Sequence, residues 1–201
     1  MTPARFAIAA LCIVATIDQA RAEPPGYPAR GREILAAKAC AGCHLPRGQD
    51  GVGPSLEQLR RPQGAFALAG RLWNHAPAMF TVLKMTDLQW PQISAGEMGD
   101  LMAYLEAEPT RDPAPDLSKG QLVLLRKGCL KCHSLRGEGG RLASDLSAQR
   151  SADESAVAWA ARMWGHTPAM AAKAIEVGVL YPRFAEDEML NLTAFLRSRA
   201  R

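Results

Sequence analysis

The sequence has few aromatic residues, few histidines and no strong charge of either sign. Aromatic residues make up 6% of its 201 residues, and it contains only four His and five Cys. The formal net charge of +4 is small, whereas nucleic-acid binding usually requires a dense basic face. We therefore expect no nucleic-acid partner.

Long apolar runs are also lacking, since a membrane-spanning helix needs about 20 apolar residues. The longest run, from Phe6 to Ile17, follows Arg5 and precedes Ala20-Arg21-Ala22, which fits the small-x-small pattern of a signal peptidase site. We expect residues 1–22 to be a cleaved signal peptide; a retained anchor is the alternative. The mature protein is then periplasmic and has no stable membrane insertion.

The four cysteines beyond this segment form two motifs of one kind, Cys40-Ala41-Gly42-Cys43-His44 and Cys129-Leu130-Lys131-Cys132-His133. C-x-x-C-H is the pattern of c-type haem attachment, in which two thiols bond one porphyrin and the adjoining imidazole binds its iron. We predict two covalently attached haem c groups. The predicted attachment residues are Cys40, Cys43, Cys129 and Cys132, and the predicted iron ligands are His44 and His133.

Three other uses of paired cysteines fit less well. The pairs of a zinc ribbon usually lie about 15–20 residues apart, whereas these begin at Cys40 and Cys129, 89 positions apart. A thioredoxin-type redox site belongs beside a βαβ pattern, which the sequence lacks. Structural disulfides suit an oxidising compartment, but they would leave the histidine of each motif without a role.

The chain contains one unit twice, with corresponding residues 89 to 91 positions apart. Gly31 corresponds to Gly120. The later pairs are Arg71/Arg162, Trp73/Trp164, His75/His166, Pro77/Pro168 and Met79/Met170. We place the first domain at 28–108 and the second at 117–200, and we name them copy 1 and copy 2. Residues 109–116 contain three prolines and are expected to form a semi-rigid linker.

The spacing of the apolar residues predicts an all-α fold. Helical periodicity is clear over residues 30–39 and 96–107 and over their counterparts in copy 2. Further helices are expected over 78–85 and 169–177, each with a proline, Pro77 or Pro168, at its first turn. No run of alternating apolar residues indicates a sheet.

The sequence resembles the class I c-type cytochrome family, present in tandem. The resemblance covers nearly all of both copies. It depends on Gly31 before the first motif, the loop Gly51-Val52-Gly53-Pro54, and the helix that ends Leu101-Met102-Ala103-Tyr104-Leu105. It implies two tandem helical domains, each folded around a covalent haem.

The resemblance also implies particular contacts. Gly31 is expected to lie against Tyr104, and Gly120 against Phe195. The Pro54 carbonyl is expected to accept the N–H of the iron-bound histidine. The corresponding Gly137–Gly140 loop of copy 2 has no proline, so the same bond is in doubt for His133.

The sixth iron ligand is less clear from the sequence. Members of the family commonly use a methionine from the loop before the last helix, and neither copy has one there. Met98 and Met189 recur in step but belong to the apolar stripe of the last helix, which indicates core packing. The other residues of iron-binding type that recur are Met79 with Met170 and His75 with His166. We predict Met79 and Met170 as the ligands, because thioether sulfur favours ferrous iron; His75 and His166 are the alternatives.

Two further residue pairs are candidate cofactor-binding residues. Arg71, Arg162, Trp73 and Trp164 lie beside the candidate ligands in both copies. Charged groups and N–H groups there would offset the cost of burying haem propionates. A surface arginine and a core tryptophan are the equally simple alternative.

Two closed haem sites suit electron transfer better than substrate chemistry. The expected function is that of a periplasmic dihaem cytochrome passing electrons between redox protein partners, free or as a subunit of an oxidoreductase complex, and not that of an enzyme. The alternative is a dihaem peroxidase-like enzyme with one open iron position. A haem-based sensor ranks last. The sequence does not identify the donor or the acceptor.

Overall fold

A computed structural model describes residues 26–38, 40–148 and 155–200. The predicted signal peptide lies outside these residues. The described chain is mostly helical, with 60% helix and 5% strand, which confirms the all-α class. The helices are α1 (Pro28–Ala37), α2 (Ala65–Met85), α3 (Ala95–Tyr104), α4 (Leu117–Arg126), α5 (Ala156–Glu176) and α6 (Glu188–Arg199).

The remaining elements are short. Single turns of 3₁₀ helix cover Cys40–Gly42, Leu56–Leu59, Pro109–Arg111, Cys129–Lys131 and Leu146–Ala148. Two two-residue strands, β1 (Gln63–Gly64) and β2 (Ala107–Glu108), pair in parallel. Two more, β3 (Ser134–Leu135) and β4 (Glu138–Gly139), form a small antiparallel hairpin. No strand among the described residues exceeds two residues.

The first and last helices of each copy cross closely because a glycine lies at the crossing. A Cβ atom on Gly31 would lie 2.7 Å from Cβ of Tyr104, and one on Gly120 would lie 2.7 Å from Cβ of Phe195. Real Cβ atoms do not approach other atoms so closely. Both predicted glycine–aromatic contacts are therefore confirmed.

Two polar contacts accompany this crossing in both copies. The backbone N–H of Tyr27 donates to Oδ1 of Asp100 at 2.7 Å, and that of Asp116 donates to Oδ1 of Asn191 at 2.8 Å. The ion pairs Lys38–Glu97 and Lys127–Glu188 also correspond, at 2.9 and 2.7 Å. The internal repeat of the sequence therefore extends to the packing of the helix pairs.

The long helices α2 and α5 differ from the prediction. Each runs for 21 residues with its proline inside the helix, whereas we expected Pro77 and Pro168 at the first turn. A proline in a helix costs about 3 kcal/mol, because its ring crowds the preceding turn and it has no N–H. The turns before it bury an apolar face, which outweighs this cost. In α2 the buried residues are Ala65, Phe66, Leu68, Ala69, Gly70, Trp73 and Ala76.

The copies pack directly on each other, with α5 of copy 2 against α2 and α3 of copy 1. The linker takes part in this packing. The Asp112 carboxylate accepts the N–H of Phe66 at 3.1 Å, so it caps the start of α2. Residues 109–116 therefore do more than separate the copies. Of the helices described, none has the length and apolar character required to cross a bilayer.

Candidate cofactor site

A large cavity opens in copy 1 beside the first cysteine motif. Its volume is about 860 Å³, within the range of small-molecule and cofactor sites. Cys40, Cys43 and His44 form part of its wall, and His75 and Met79 on α2 form another. Most of the remaining lining is apolar: Leu35, Leu56, Leu59, Leu68, Leu72, Leu83, Leu88, Ile93, Met98, Leu101, Met102 and Leu105. The site predicted from the sequence therefore coincides with space for a large apolar group.

His44 is held in one tautomer. Its Nδ1 atom lies 2.8 Å from the Pro54 carbonyl oxygen, which can only accept a hydrogen bond. Nδ1 therefore carries the proton, and Nε2 keeps its lone pair for a metal. This confirms the bond expected between His44 and Pro54.

A second imidazole faces His44. The ring centroids of His44 and His75 lie 5.6 Å apart at an interplanar angle of 68°. Imidazole nitrogen binds metals at about 2 Å, so two rings on opposite sides of one metal have centroids roughly 6 Å apart. The spacing therefore leaves room for one metal atom between the rings.

Copy 2 repeats this arrangement. The centroids of His133 and His166 lie 6.1 Å apart at 59°. His133 is buried, and its Nδ1 donates to the Ser144 carbonyl oxygen at 2.9 Å. Ser144 thus takes the place of Pro54. His133 has the same hydrogen bond as His44, although the Gly137–Gly140 loop contains no proline.

Asp145 holds the loop that presents Ser144. Its carboxylate accepts the backbone N–H groups of Gly137 at 2.6 Å and Ser147 at 2.7 Å. It also accepts the hydroxyls of Ser147 at 2.6 Å and Ser134 at 2.9 Å. These bonds, that of the Ser147 hydroxyl first, hold the pKa of Asp145 well below its usual range.

The two candidate methionines occupy less specific positions. Met79 lines the cavity, and both Met79 and Met170 pack against the hydrophobic core. The side chains that the structure brings opposite the motif histidines are instead His75 and His166. The geometry therefore favours the alternative ligands over the methionines that we predicted.

The four motif cysteines are each partly buried, and none of them is joined in a disulfide in the structure. Burial raises the pKa of Cys40, and it raises the pKa of Cys129 to about 11. A redox-active cysteine usually has a lowered pKa, so these thiols do not suit a thioredoxin-type site. Among the described residues, no group of three or more His, Cys, Asp or Glu could hold a metal ion.

Among the described residues, the charged groups around the copy 1 cavity are all basic. Arg61, Arg71 and Arg183 line it together with Lys38, and no Asp or Glu of this part of the chain does. Lys38 is paired with Glu97 at 2.9 Å, whereas no carboxylate of the described residues pairs with the three arginines. Burial, and then the charge of Arg61, lower the pKa of Arg71. The cavity thus suits an apolar group that carries negative charge.

The predicted role of the tryptophans does not agree with their hydrogen bonds. Trp73 Nε1 donates to the Pro182 carbonyl at 2.7 Å, and Trp164 Nε1 donates to the Pro91 carbonyl at 2.8 Å. Their N–H groups are therefore used between the copies and are not available to a propionate. Both rings also contact an aromatic ring of the other copy, Tyr181 for Trp73 and Trp90 for Trp164. Arg162 lies over the ring of Trp159 at 4.9 Å from its centroid.

Among the residues of the cavity wall that sequence reasoning missed are Arg61, Trp90 and Arg183. Trp90 Nε1 is buried and has no hydrogen-bond partner among the described residues, which is uncommon in a folded protein. The repeat alone could not identify these residues, because Trp90 corresponds to Tyr181 and Arg183 corresponds to Gln92.

Comparison with known proteins gave no match: no protein-family model, curated protein or solved structure is significantly similar to the chain. A functional interpretation therefore depends on the two motifs and on the geometry around them.

Proposed function

We propose that this chain is a dihaem c-type cytochrome that carries electrons between redox proteins in the periplasm. Each haem would be bound covalently through one cysteine pair, Cys40 with Cys43 or Cys129 with Cys132. The iron would lie between two imidazoles, His44 with His75 in copy 1 and His133 with His166 in copy 2. Haem iron takes up and gives up one electron at a time, which is the chemistry the group supplies.

The observation that carries this proposal is the pair of facing histidines beside each cysteine motif. Centroid separations of 5.6 and 6.1 Å in the two copies fit one metal atom between the rings. A free metal ion would need further protein ligands, whereas a porphyrin provides four nitrogens itself. The pairing of two imidazoles with two nearby thiols therefore favours covalent haem.

The copy 1 cavity supports the same assignment by its size and charge. A haem is a large apolar disc with two propionates, and the cavity is mostly apolar with three arginines in its wall. Arg71 was predicted as a propionate partner, and Arg61 lies close enough to influence its pKa. Arg71 is partly buried, and pairing with a carboxylate would offset the cost of burying its charge.

The protein would serve mainly to fix the histidines and to close the iron to other ligands. The Pro54 and Ser144 carbonyls keep Nδ1 of the motif histidines protonated, so that Nε2 is the metal-binding atom. Two protein ligands per iron leave no position for a substrate. This favours electron transfer over the peroxidase-like alternative, which needs an open position.

A redox titration followed by absorbance spectroscopy tests the proposal. The protein should be produced in cells that attach haem to secreted cytochromes. We expect two reversible one-electron transitions, a low-spin spectrum without the sulfur-to-iron band in the near infrared, and no binding of carbon monoxide at neutral pH. Carbon monoxide binding at one haem would instead favour an enzyme, and absence of reversible redox chemistry would contradict electron transfer.

A further inference from the structure

The cavity of copy 1 is completed by two residues of copy 2. Trp164, on α5, and Arg183, in the loop between α5 and α6, both line it. Their contribution is unexpected, because each copy contains its own cysteine motif and its own pair of histidines. Hydrogen bonds and ring contacts fix Trp164 itself and the two residues that flank Arg183.

The indole N–H and the ring of Trp164 each have a contact that fixes the side chain. Its Nε1 donates to the Pro91 carbonyl at 2.8 Å, and its ring lies 4.4 Å from that of Trp90, centroid to centroid. Trp164 is buried. A ring with these restraints forms a fixed part of the cavity wall.

The residues on either side of Arg183 are fixed to α2 of copy 1. The carbonyl of Pro182 accepts the indole N–H of Trp73 at 2.7 Å. The backbone of Phe184 makes two bonds to the Asn74 side chain, one donated at 2.8 Å and one accepted at 2.6 Å. Arg183 is therefore presented beside the helix that carries Arg71 and His75.

Copy 1 lacks the residues that would make the same contribution to copy 2. The position in copy 1 that corresponds to Arg183 is Gln92, which carries no charge. The counterpart of Asn74 is Gly165, which has no side chain to hold a loop. Copy 2 therefore provides a cation to the cavity of copy 1, held through the Asn74 side chain. Copy 1 has no corresponding residues for copy 2.

We propose that Arg183 is part of the copy 1 cofactor site and binds a carboxylate of the group held between His44 and His75, with Trp164 closing the wall beside it. This inference rests on the proposed haem function, so the carboxylate would be a haem propionate. A positive charge near a haem favours its reduced form, which carries one positive charge less. Copy 2 would thus raise the redox potential of the haem in copy 1.

The test is a redox titration of the intact holoprotein with Arg183→Gln. We expect the potential of the copy 1 haem to fall, equivalent to roughly a two- to fivefold change in its reduction equilibrium, as for one partly exposed charge. The copy 2 haem should keep its potential. Arg183→Lys should keep part of the effect, because it preserves the charge but not the planar bidentate group.

A control variant and a marker variant make the result interpretable. Arg126→Gln removes an equal charge from the exposed end of α4, outside the cavity, and should change neither potential. His166→Ala makes the copy 2 haem distinguishable in the spectrum. If Arg183→Gln shifts neither haem, or shifts only that of copy 2, the inference is wrong. A wild-type chain without haem would instead contradict the proposed function.

Discussion

At the scale of single residues, the two motif histidines obtain the same hydrogen bond from different residues. Pro54 provides the acceptor for His44, and Ser144 provides it for His133. The family resemblance implied the first, because the Gly-x-Gly-Pro loop that carries it is present in the sequence. It could not predict the second, because any residue has a carbonyl group. Asp145 determines which carbonyl is presented, through hydrogen bonds to residues up to 11 positions away.

Substitution of the facing histidines tests the ligand assignment. In His75→Ala one of the two haems should lose a ligand, so that about half of the haem becomes high-spin and binds carbon monoxide. His166→Ala should do the same to the other haem. Met79→Leu and Met170→Leu are the matched controls and should leave both haems low-spin, since a volume-conserving change at a core methionine is tolerated. Electron paramagnetic resonance of the oxidised protein measures this directly. High-spin haem in the methionine variants alone would mean that our original prediction was right.

The glycines at the helix crossings give a prediction about stability. Gly31→Ala and Gly120→Ala place a methyl group against the backbone of the last helix and the aromatic residue beside it. Overpacking of this kind costs about 1–3 kcal/mol in the free energy of unfolding. Gly165→Ala is the control, because a Cβ there meets nothing within 4 Å and alanine should stabilise α5 by about 0.5–1 kcal/mol. Urea unfolding distinguishes these effects, and an unchanged stability of both crossing variants would contradict the close packing.

At the scale of helices, the first and last helices of each copy were easier to predict than the long middle one. Helices α1 and α3 lie close to the predicted ranges, because their apolar spacing is a local signal. Helices α2 and α5 were predicted too short, because proline normally marks a first turn. The packing of the preceding turns against the other copy decides otherwise, and that packing is not visible in a local pattern.

The start of α3 should make stability depend on pH. Glu97 accepts the backbone N–H of Ser94 at 2.8 Å and pairs with Lys38 at 2.9 Å. These interactions, that with Ser94 first, lower the pKa of Glu97 to about 2. A carboxylate with a lowered pKa stabilises the fold fully above its ordinary pKa, and it loses this contribution as the pH falls towards the lowered value.

We therefore expect Glu97→Gln to destabilise the protein at neutral pH, and the difference from wild type to shrink from about pH 5 down to about pH 2. Urea unfolding across this range measures it. Glu33→Gln, on the exposed face of α1, is the control and should show little difference at any pH. A difference for Glu97→Gln that is constant with pH would show that its charge is not responsible.

At the scale of the whole molecule, the two copies face each other with approximate two-fold symmetry. Trp73 bonds to Pro182 and stacks on Tyr181 at 4.7 Å, and Trp164 bonds to Pro91 and lies against the tilted ring of Trp90 at 4.4 Å. The duplication was visible in the sequence, but this interface was not. An indole N–H can donate a hydrogen bond to a propionate or to a backbone carbonyl. The packing of the two copies places a carbonyl beside each of these N–H groups, and a local sequence pattern does not show this.

This interface predicts that the copies unfold together. Trp164→Phe leaves the Pro91 carbonyl without its donor and should cost about 1–3 kcal/mol. The loss should appear in one cooperative transition, with the helical signal and the absorbance of both haems changing at the same urea concentration. Trp73→Phe should behave alike. Two separated transitions would show that the copies are independent domains.

The most direct test of the central proposal is the mass of the mature chain, measured under denaturing conditions after production in cells that attach haem. We predict a mass equal to that of the polypeptide without residues 1–22 plus two haem groups. Replacing Cys129 and Cys132 by serine should remove one of them. A chain with the mass of the bare polypeptide, or with one haem in the wild type, would contradict the account.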